Sequence, residues 1–431
     1  MTSPKNLAIG AASLLLIGGL MAGCSSPSGG TTAPPAGSIA CGAGTGEKAT
    51  GTPITFGALV TKQPGLDGFT DATGTAQAYF DCVNDNGGIS GHPIKFVVKE
   101  DTTDPSTVST YGTALIEEDH VDGLVGSFSI LDCAVNEKLR ADNGYFAIGA
   151  AITNECFNSP TFAPINVGSA NSALATAQYL IDKEGVTKIT IATSNAPGAD
   201  LANKSVAEYA ESKGVEVSGV LEDIPIADPQ GLVLRLTQAV GQGGGVILNF
   251  NPGETVKLLA AIEQQGLIDQ AKWGCPAGCY NQDLIDTASP AWNNKLVVNA
   301  ELGDINSDGE SATQMRDVLA AYAPSVPANS YAQFGWLSAN VAVSTLLKLP
   351  EDQLNKEGIN AAFAAASGYE SDLLCVPWYY GQLPTKLANN SVSMLSFADR
   401  KFSVISGCNP LPATSINHLD DIRAWEASNG L

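Results

Sequence analysis

The side chains of this chain that could do chemistry are cysteine thiols and loop hydroxyls. Nine cysteines are present. One of them, Cys24, closes the run Leu20-Met21-Ala22-Gly23-Cys24 at the end of an apolar N-terminal segment, a pattern that reads as a lipobox. Setting Cys24 aside leaves Cys41, Cys82, Cys133, Cys156, Cys275, Cys279, Cys375 and Cys408, an even set. An exported protein meets oxidising conditions, so an even set implies four disulfides, although eight cysteines allow on the order of a hundred connectivities. Sequence order suggests Cys41 with Cys82, Cys133 with Cys156, Cys275 with Cys279, and Cys375 with Cys408. Zinc is the competing reading for Cys275-x-x-x-Cys279, weakened because neither a second Cys pair nor a His pair lies nearby. Among the hydroxyls, Ser127, Ser129 and Thr153 follow predicted strand ends. There they and the adjacent backbone N–H groups could converge on a small carboxylate or amide, or simply make turns.

Catalytic arrangements are missing from the sequence. It contains no Gly-x-Ser-x-Gly, no His-Glu-x-x-His and no Gly-x-x-x-x-Gly-Lys-(Ser/Thr), and His92, His120 and His418 offer little general-base capacity. A binding protein without enzymatic activity, cofactor or metal is expected. Lys and Arg total 22 against 44 Asp and Glu, a net charge of −22 that argues against nucleic acid, whose recognition rests on neutralising phosphates. With 44% hydrophobic and 15% charged residues over 431 positions, the chain is globular and long enough for two or three domains.

The elements that must position these groups alternate. After a Ser/Gly/Thr/Pro-rich stretch, short apolar runs predict strands at 54–60, 94–98, 123–126 and 145–149. Helical patterns lie between them, one ended by Asn86-Gly87-Gly88 and one opened by Asp104-Pro105. The same rhythm restarts with a helix at 172–183 and strands at 188–193, 215–220, 246–250 and 296–300, then helices at 311–322 and 331–347. Two doubly wound sheets bind ligands where strands end in loops, so a two-lobed α/β protein with a cleft follows. The last 80 or so residues are less legible.

Two resemblances refine this expectation. Lys5 and the apolar stretch 7–21, at about 15 residues shorter than the roughly 20 that span a bilayer, resemble the leader of bacterial lipoproteins. This implies cleavage after Gly23, lipid on Cys24, and anchorage at the extracytoplasmic face of the cell membrane. Further on, Asn84-Asp85-Asn86-Gly87-Gly88-Ile89-Ser90-Gly91, Glu100-Asp101-Thr102-Thr103-Asp104-Pro105, Val125-Gly126-Ser127 and Ala151-Ile152-Thr153-Asn154 resemble motifs of the type I periplasmic binding proteins of branched-chain amino acid ABC importers.

The resemblance covers roughly residues 53–350. It implies two Rossmann-like lobes joined by a multi-strand hinge; ahead of them, the leader resemblance makes 1–23 a signal peptide, and the Ser/Gly/Thr/Pro/Ala composition makes 24–52 a lipidated flexible tether. Lobe one takes 53–168 plus 300–350, and lobe two takes 169–299 plus 351–431. A monomer is implied that closes over a small polar solute and hands it to a membrane permease. A surface receptor that reports amide-type solutes to a signalling partner is the alternative.

The ligand-binding residues implied are Ser127, Ser129, Ala151, Thr153, Asn195, Phe250, Asn251 and Tyr280. The second lobe departs from the family pattern: Pro197 stands where a Tyr is common, and Ala277 stands where a Gly-Pro-Glu-Gly loop places an ammonium-binding Glu. A buried ammonium without a carboxylate is disfavoured, so an ordinary α-amino acid is a poor ligand unless Asp283 substitutes. Replacing the lipid acceptor tests the leader reading: Cys24→Ser releases the protein from the membrane fraction into the soluble one, and unchanged fractionation overturns lipidation.

Overall fold

The computed structural model describes residues 34–63, 66, 68–196 and 198–431; Cys24, the rest of the leader, Pro197 and the side chain of Asp283 lie outside that description. The first sheet is parallel throughout. Its strands β1 (Ile54–Thr61), β2 (Ile94–Asp101), β3 (Gly123–Val125), β4 (Ala147–Gly149) and β5 (Phe162–Pro164) lie in the order β2-β1-β3-β4-β5. Helices α1 (Phe69–Asp85), α2 (Pro105–Thr113), α3 (Asp132–Asn143) and α4 (Asn154–Asn158) connect them. Local sequence explains these elements. Helix α1 buries Phe69, Ala72, Ala76, Tyr79, Phe80 and Val83 along one stripe, and it stops where the Gly88 N–H donates to the Val83 carbonyl. Asp104 caps α2, its carboxylate accepting from the N–H groups of Ser106 and Thr107, with Pro105 in the first turn.

The second sheet has seven strands. Between α5 (Gly168–Asp182), α6 (Asp200–Ser212), α7 (Pro229–Val240), α8 (Pro252–Gln264) and α9 (Gln282–Thr287) run β6 (Lys188–Ser194), β7 (Glu216–Glu222), β8 (Gly244–Asn249), β9 (Ala271–Cys275) and β10 (Leu296–Ala300). These five strands are parallel in the order β10-β9-β8-β6-β7. Past β10, helices α10 (Glu310–Tyr322) and α11 (Ser330–Leu346) return to pack on α1, and α12 (Lys356–Ala364) sets Phe363 6.2 Å from the Phe56 ring of β1. Strands β11 (Ser391–Ala398) and β12 (Lys401–Pro410) then form an antiparallel hairpin on the open edge of β10, before α13 (Leu419–Asn429).

The described chain therefore passes between the two sheets three times, near residues 165–168, 300–303 and 387–391. Helix α12 and Trp378, which the expected boundaries group with the second lobe, meet the first sheet. There the Trp378 indole N–H donates to the Pro164 carbonyl at 2.9 Å.

All four disulfides pair as sequence order suggested, with Cα–Cα distances of 5.7, 5.0, 6.0 and 5.5 Å. The pairing Cys275–Cys279 leaves no thiolate there for zinc. Residues 34–52, expected as free tether, are held on the first lobe. Cys41 is bonded to Cys82 of α1, Ile39 is buried, and Asn86 donates to the Ile39 carbonyl at 2.8 Å.

Close approach of α1 and α11 rests on Gly335. A Cβ at this position would lie 1.8 Å from the Ala72 carbonyl oxygen. Gly335→Ala is expected to destabilise the fold by about 3 kcal/mol, the upper end of ordinary overpacking, read as a lower denaturant midpoint at unchanged slope. An unchanged midpoint would mean that the two helices can part without cost.

Candidate ligand-binding site

Parallel strands leave their C-terminal ends on one edge of each sheet, and the loops there face each other across a cleft. The cleft encloses about 1150 Å³ of atom-free space, part of it open to solvent. From the first lobe come Phe128 and Ile130 after β3, Ala151 to Asn154 after β4, and Phe69 at the start of α1. The second lobe supplies Thr193 and Ser194 from β6, Asn249 at the end of β8 with Phe250 and Asn251 after it, and Pro276, Ala277 and Gly278 after β9. Tyr331 and Phe334 of α11 complete an aromatic wall with Phe69 and Phe128, whose ring centroids stand 4.5 to 6.1 Å apart. Such a wall suits an apolar body.

Of the residues expected to bind ligand, Ala151, Thr153, Phe250 and Asn251 line the cleft. The Ala151 N–H donates to Asn166 Oδ1 at 2.8 Å, and its carbonyl accepts from Asn166 Nδ2 at 3.0 Å, so its backbone is already satisfied. Asn251 Oδ1 caps α8 by accepting from the Glu254 N–H at 2.9 Å. Thr153 Oγ1 is buried without a hydrogen-bond partner among the described residues.

Ser127, Ser129, Asn195 and Tyr280 stand outside the cleft wall. Ser127 Oγ accepts from the Leu59 N–H at 3.1 Å and faces a small internal cavity behind β1. Ser129 Oγ accepts from the Asp132 N–H at 3.2 Å and also bonds the Asp101 carboxylate. Ser129 is thus a turn hydroxyl, whereas Ser127 ties its loop to β1. Asn195 donates to Asp223 at 2.8 Å, and the buried Tyr280 hydroxyl donates to Asp304 at 2.6 Å while accepting from the Ile305 N–H at 2.9 Å.

Sequence reasoning missed Glu301. It follows β10 directly, is 5% exposed, and reaches the cleft from the hinge. Its Oε2 accepts from Asn166 Nδ2 at 2.9 Å and from the N–H groups of Val167 and Gly168, each at 3.0 Å. Burial pushes its carboxyl up to about 7, partly offset by those three donors. The signal available was an acidic residue immediately after the buried strand 296–300. Ala277, in the loop 276–278, lines the cleft, its N–H donating to Ser172 Oγ at 3.0 Å.

A model of the family described as periplasmic binding protein matches residues 53–394. The chain belongs to the periplasmic binding protein family. It is a solute-binding protein with the type I, two-lobed fold. Among solved structures similar to it, one from Thermus thermophilus is a branched-chain amino acid ABC transporter protein with bound valine. That structure is 13% identical with a TM-score of 0.71, covering 86% of this chain and 100% of its own. A fatty acid ABC transporter substrate-binding protein from Thermomonospora curvata is 18% identical with a TM-score of 0.70, covering 86% and 95%. A solute-binding protein of an ABC transporter from R. palustris, in complex with benzoate, is 17% identical with a TM-score of 0.67, covering 85% and 99%. At these identities the likeness shows the fold alone. No match is found among curated proteins.

Glu301 gives this periplasmic binding protein a pH-dependent stability. Its carboxyl titrates higher in the folded chain than in an unfolded one, so folding takes up a proton between pH about 4.5 and 7. The stability it contributes is full below that window and is lost as pH rises through it. Glu301→Gln removes this slope. Between pH 5 and 8 the variant is expected to gain up to about 3 kcal/mol relative to wild type in denaturant unfolding, whereas parallel curves would show a carboxylate ionised throughout.

Proposed function

We propose that this protein is the lipid-anchored substrate-binding subunit of an ABC importer, acting as a monomer outside the cytoplasm, held by lipid on Cys24. It takes a small solute with an apolar body and one polar end into the interlobe cleft and delivers it unaltered to a membrane permease. The observation that carries this reading is the cleft itself: strand-end loops of both sheets face one apolar space, and three chain crossings form the hinge beneath it. A ligand touching both walls stabilises the closed arrangement by its differential contacts, which is what a permease can recognise.

The wall supports binding rather than turnover. Among the described residues it carries no Lys, Arg, His, Cys or Asp, and its carboxylate, Glu301, is hydrogen-bonded to Asn166 and to the N–H groups of Val167 and Gly168 rather than to a hydroxyl nucleophile. The leader and Cys24 lie outside the described residues, and anchorage rests on the lipobox reading.

The test uses the full chain carrying Cys24→Ser, screened against metabolites by thermal shift and small-angle scattering. A solute at 100 times its dissociation constant is expected to stabilise the fold by about 2.7 kcal/mol and to lower the radius of gyration. Phe250→Ala should weaken that solute at least tenfold. Chemical conversion of the solute in these samples, or stabilisation with no compaction, would overturn the reading.

A further inference from the structure

One acidic side chain in the cleft is nine-tenths buried and only half satisfied. Glu301 Oε2 receives all three of the carboxylate's hydrogen bonds, from Asn166, Val167 and Gly168. Oε1 makes none among the described residues, and the residue borders the cleft. A carboxylate oxygen without a donor at the wall of a cleft is a strong acceptor waiting for one.

We infer that Glu301 is the head-group receptor of this cleft and that its solute is a small hydrophobic amine without an α-carboxylate, its ammonium donating to Oε1 and its apolar body lying on the wall of Phe69, Phe128, Tyr331 and Phe334. This rests on the solute-binding reading above and names its ligand class. Three further observations support it. The described lining offers no cation, so an anionic solute would meet the Glu301 charge with nothing to offset it. The Ser127 and Ser129 hydroxyls expected to hold a carboxylate are turned into the lobe and occupied there. Aromatic faces beside a carboxylate attract an ammonium through both charge and ring quadrupole. The carboxylate thus comes from the hinge, not from the loop 276–278, where Ala277 stands.

The titration of Glu301 gives the inference its readout. Tyr331 of α11 is the titratable neighbour coupled to it: burial and the charges of Glu301 and Asp71 of α1 raise that phenol, which stays neutral across the working range. The loop 166–168 presents only Asn166, Val167 and Gly168 to the carboxylate, and Asn389 bonds its backbone carbonyl. With the Glu301 carboxyl at about 7, an ammonium binds the ionised form, and affinity rises about tenfold from pH 6 to pH 8 before levelling.

The experiment is calorimetric titration of the full chain carrying Cys24→Ser, with and without Glu301→Gln, using 2-phenylethylamine, phenylacetamide, phenylacetate and L-phenylalanine at pH 6, 7 and 8. The amine is expected to bind at least tenfold more tightly than the other three, with affinity rising about tenfold over that range. Glu301→Gln should weaken it at least tenfold and flatten the profile. If that variant does not fold, the wild-type pH profile reads the same group.

Phenylacetate or phenylacetamide binding most tightly, or an amine affinity indifferent to Glu301→Gln and to pH, overturns the inference and leaves a solute-binding cleft standing. Binding of none of the four overturns the inference. The metabolite screen then decides separately whether the cleft binds anything.

Discussion

The arrangement turns on a knot of hydrogen bonds at the hinge, where polypeptide must cross between two cores without leaving buried polar groups unpaired. Glu301, on the second crossing, gathers donors from Asn166, Val167 and Gly168 on the first. Asn389, on the third, donates to the Glu301 carbonyl at 2.8 Å and lies 3.4 Å from that of Ile165. Asn166 reaches onward to both backbone groups of Ala151, fixing the loop after β4. Two asparagines and one glutamate thereby register all three crossings against one another and against a cleft loop. Each of these side chains is buried, so removing any one would strand partners with no water to replace it.

With the hinge fixed, the two sheets need only aim their strand ends at the same space. Covalent bonds hold the loops that do so. Cys133–Cys156 ties α3 to α4 beside the loop carrying Thr153, and Cys275–Cys279 closes the turn that presents Ala277. Cys375–Cys408 joins the segment after α12 to β12, linking chain on either side of the third crossing. Short cleft loops with few apolar contacts of their own would otherwise sample many conformations. The disulfides do locally what the asparagine knot does at the hinge, and they belong to an oxidising compartment.

Elements built from local rules were legible in the sequence. Apolar periodicity, the Asp104-Pro105 start and the Asn86-Gly87-Gly88 stop placed most strands and helices within a few residues, because propensity and burial agree there. The β11–β12 hairpin was not legible. Its turn is Asp399-Arg400 with φ of 51° and 58°, a left-handed pair that usually announces itself through Asn or Gly and here carries neither. The tether reading gave way from residue 34 onward because composition predicts freedom, while one disulfide and a few buried contacts remove it. Site residues split along the same line. Phe250 and Asn251 follow a strand end and face outward from it, but Ser127 and Ser129 turn inward to satisfy the Leu59 and Asp132 amides. No sequence pattern shows which way a hydroxyl turns.

Moving the carboxylate from a lobe loop to the hinge changes how binding and closure are coupled. A charged group on a lobe loop meets the solute only as that lobe swings in. Glu301 sits where the lobes join, with the first-lobe aromatics beside it, so on the proposed hinge motion a solute can engage it before the second-lobe loops close in. The contacts that differ between open and closed states are then those made by the second lobe, through Phe250, Asn251 and the turn 276–278. Those contacts are apolar or neutral. Head-group recognition and closure are therefore carried by different residues, which lets the strong polar contact set affinity while weaker apolar contacts, made or broken together, set the balance of states.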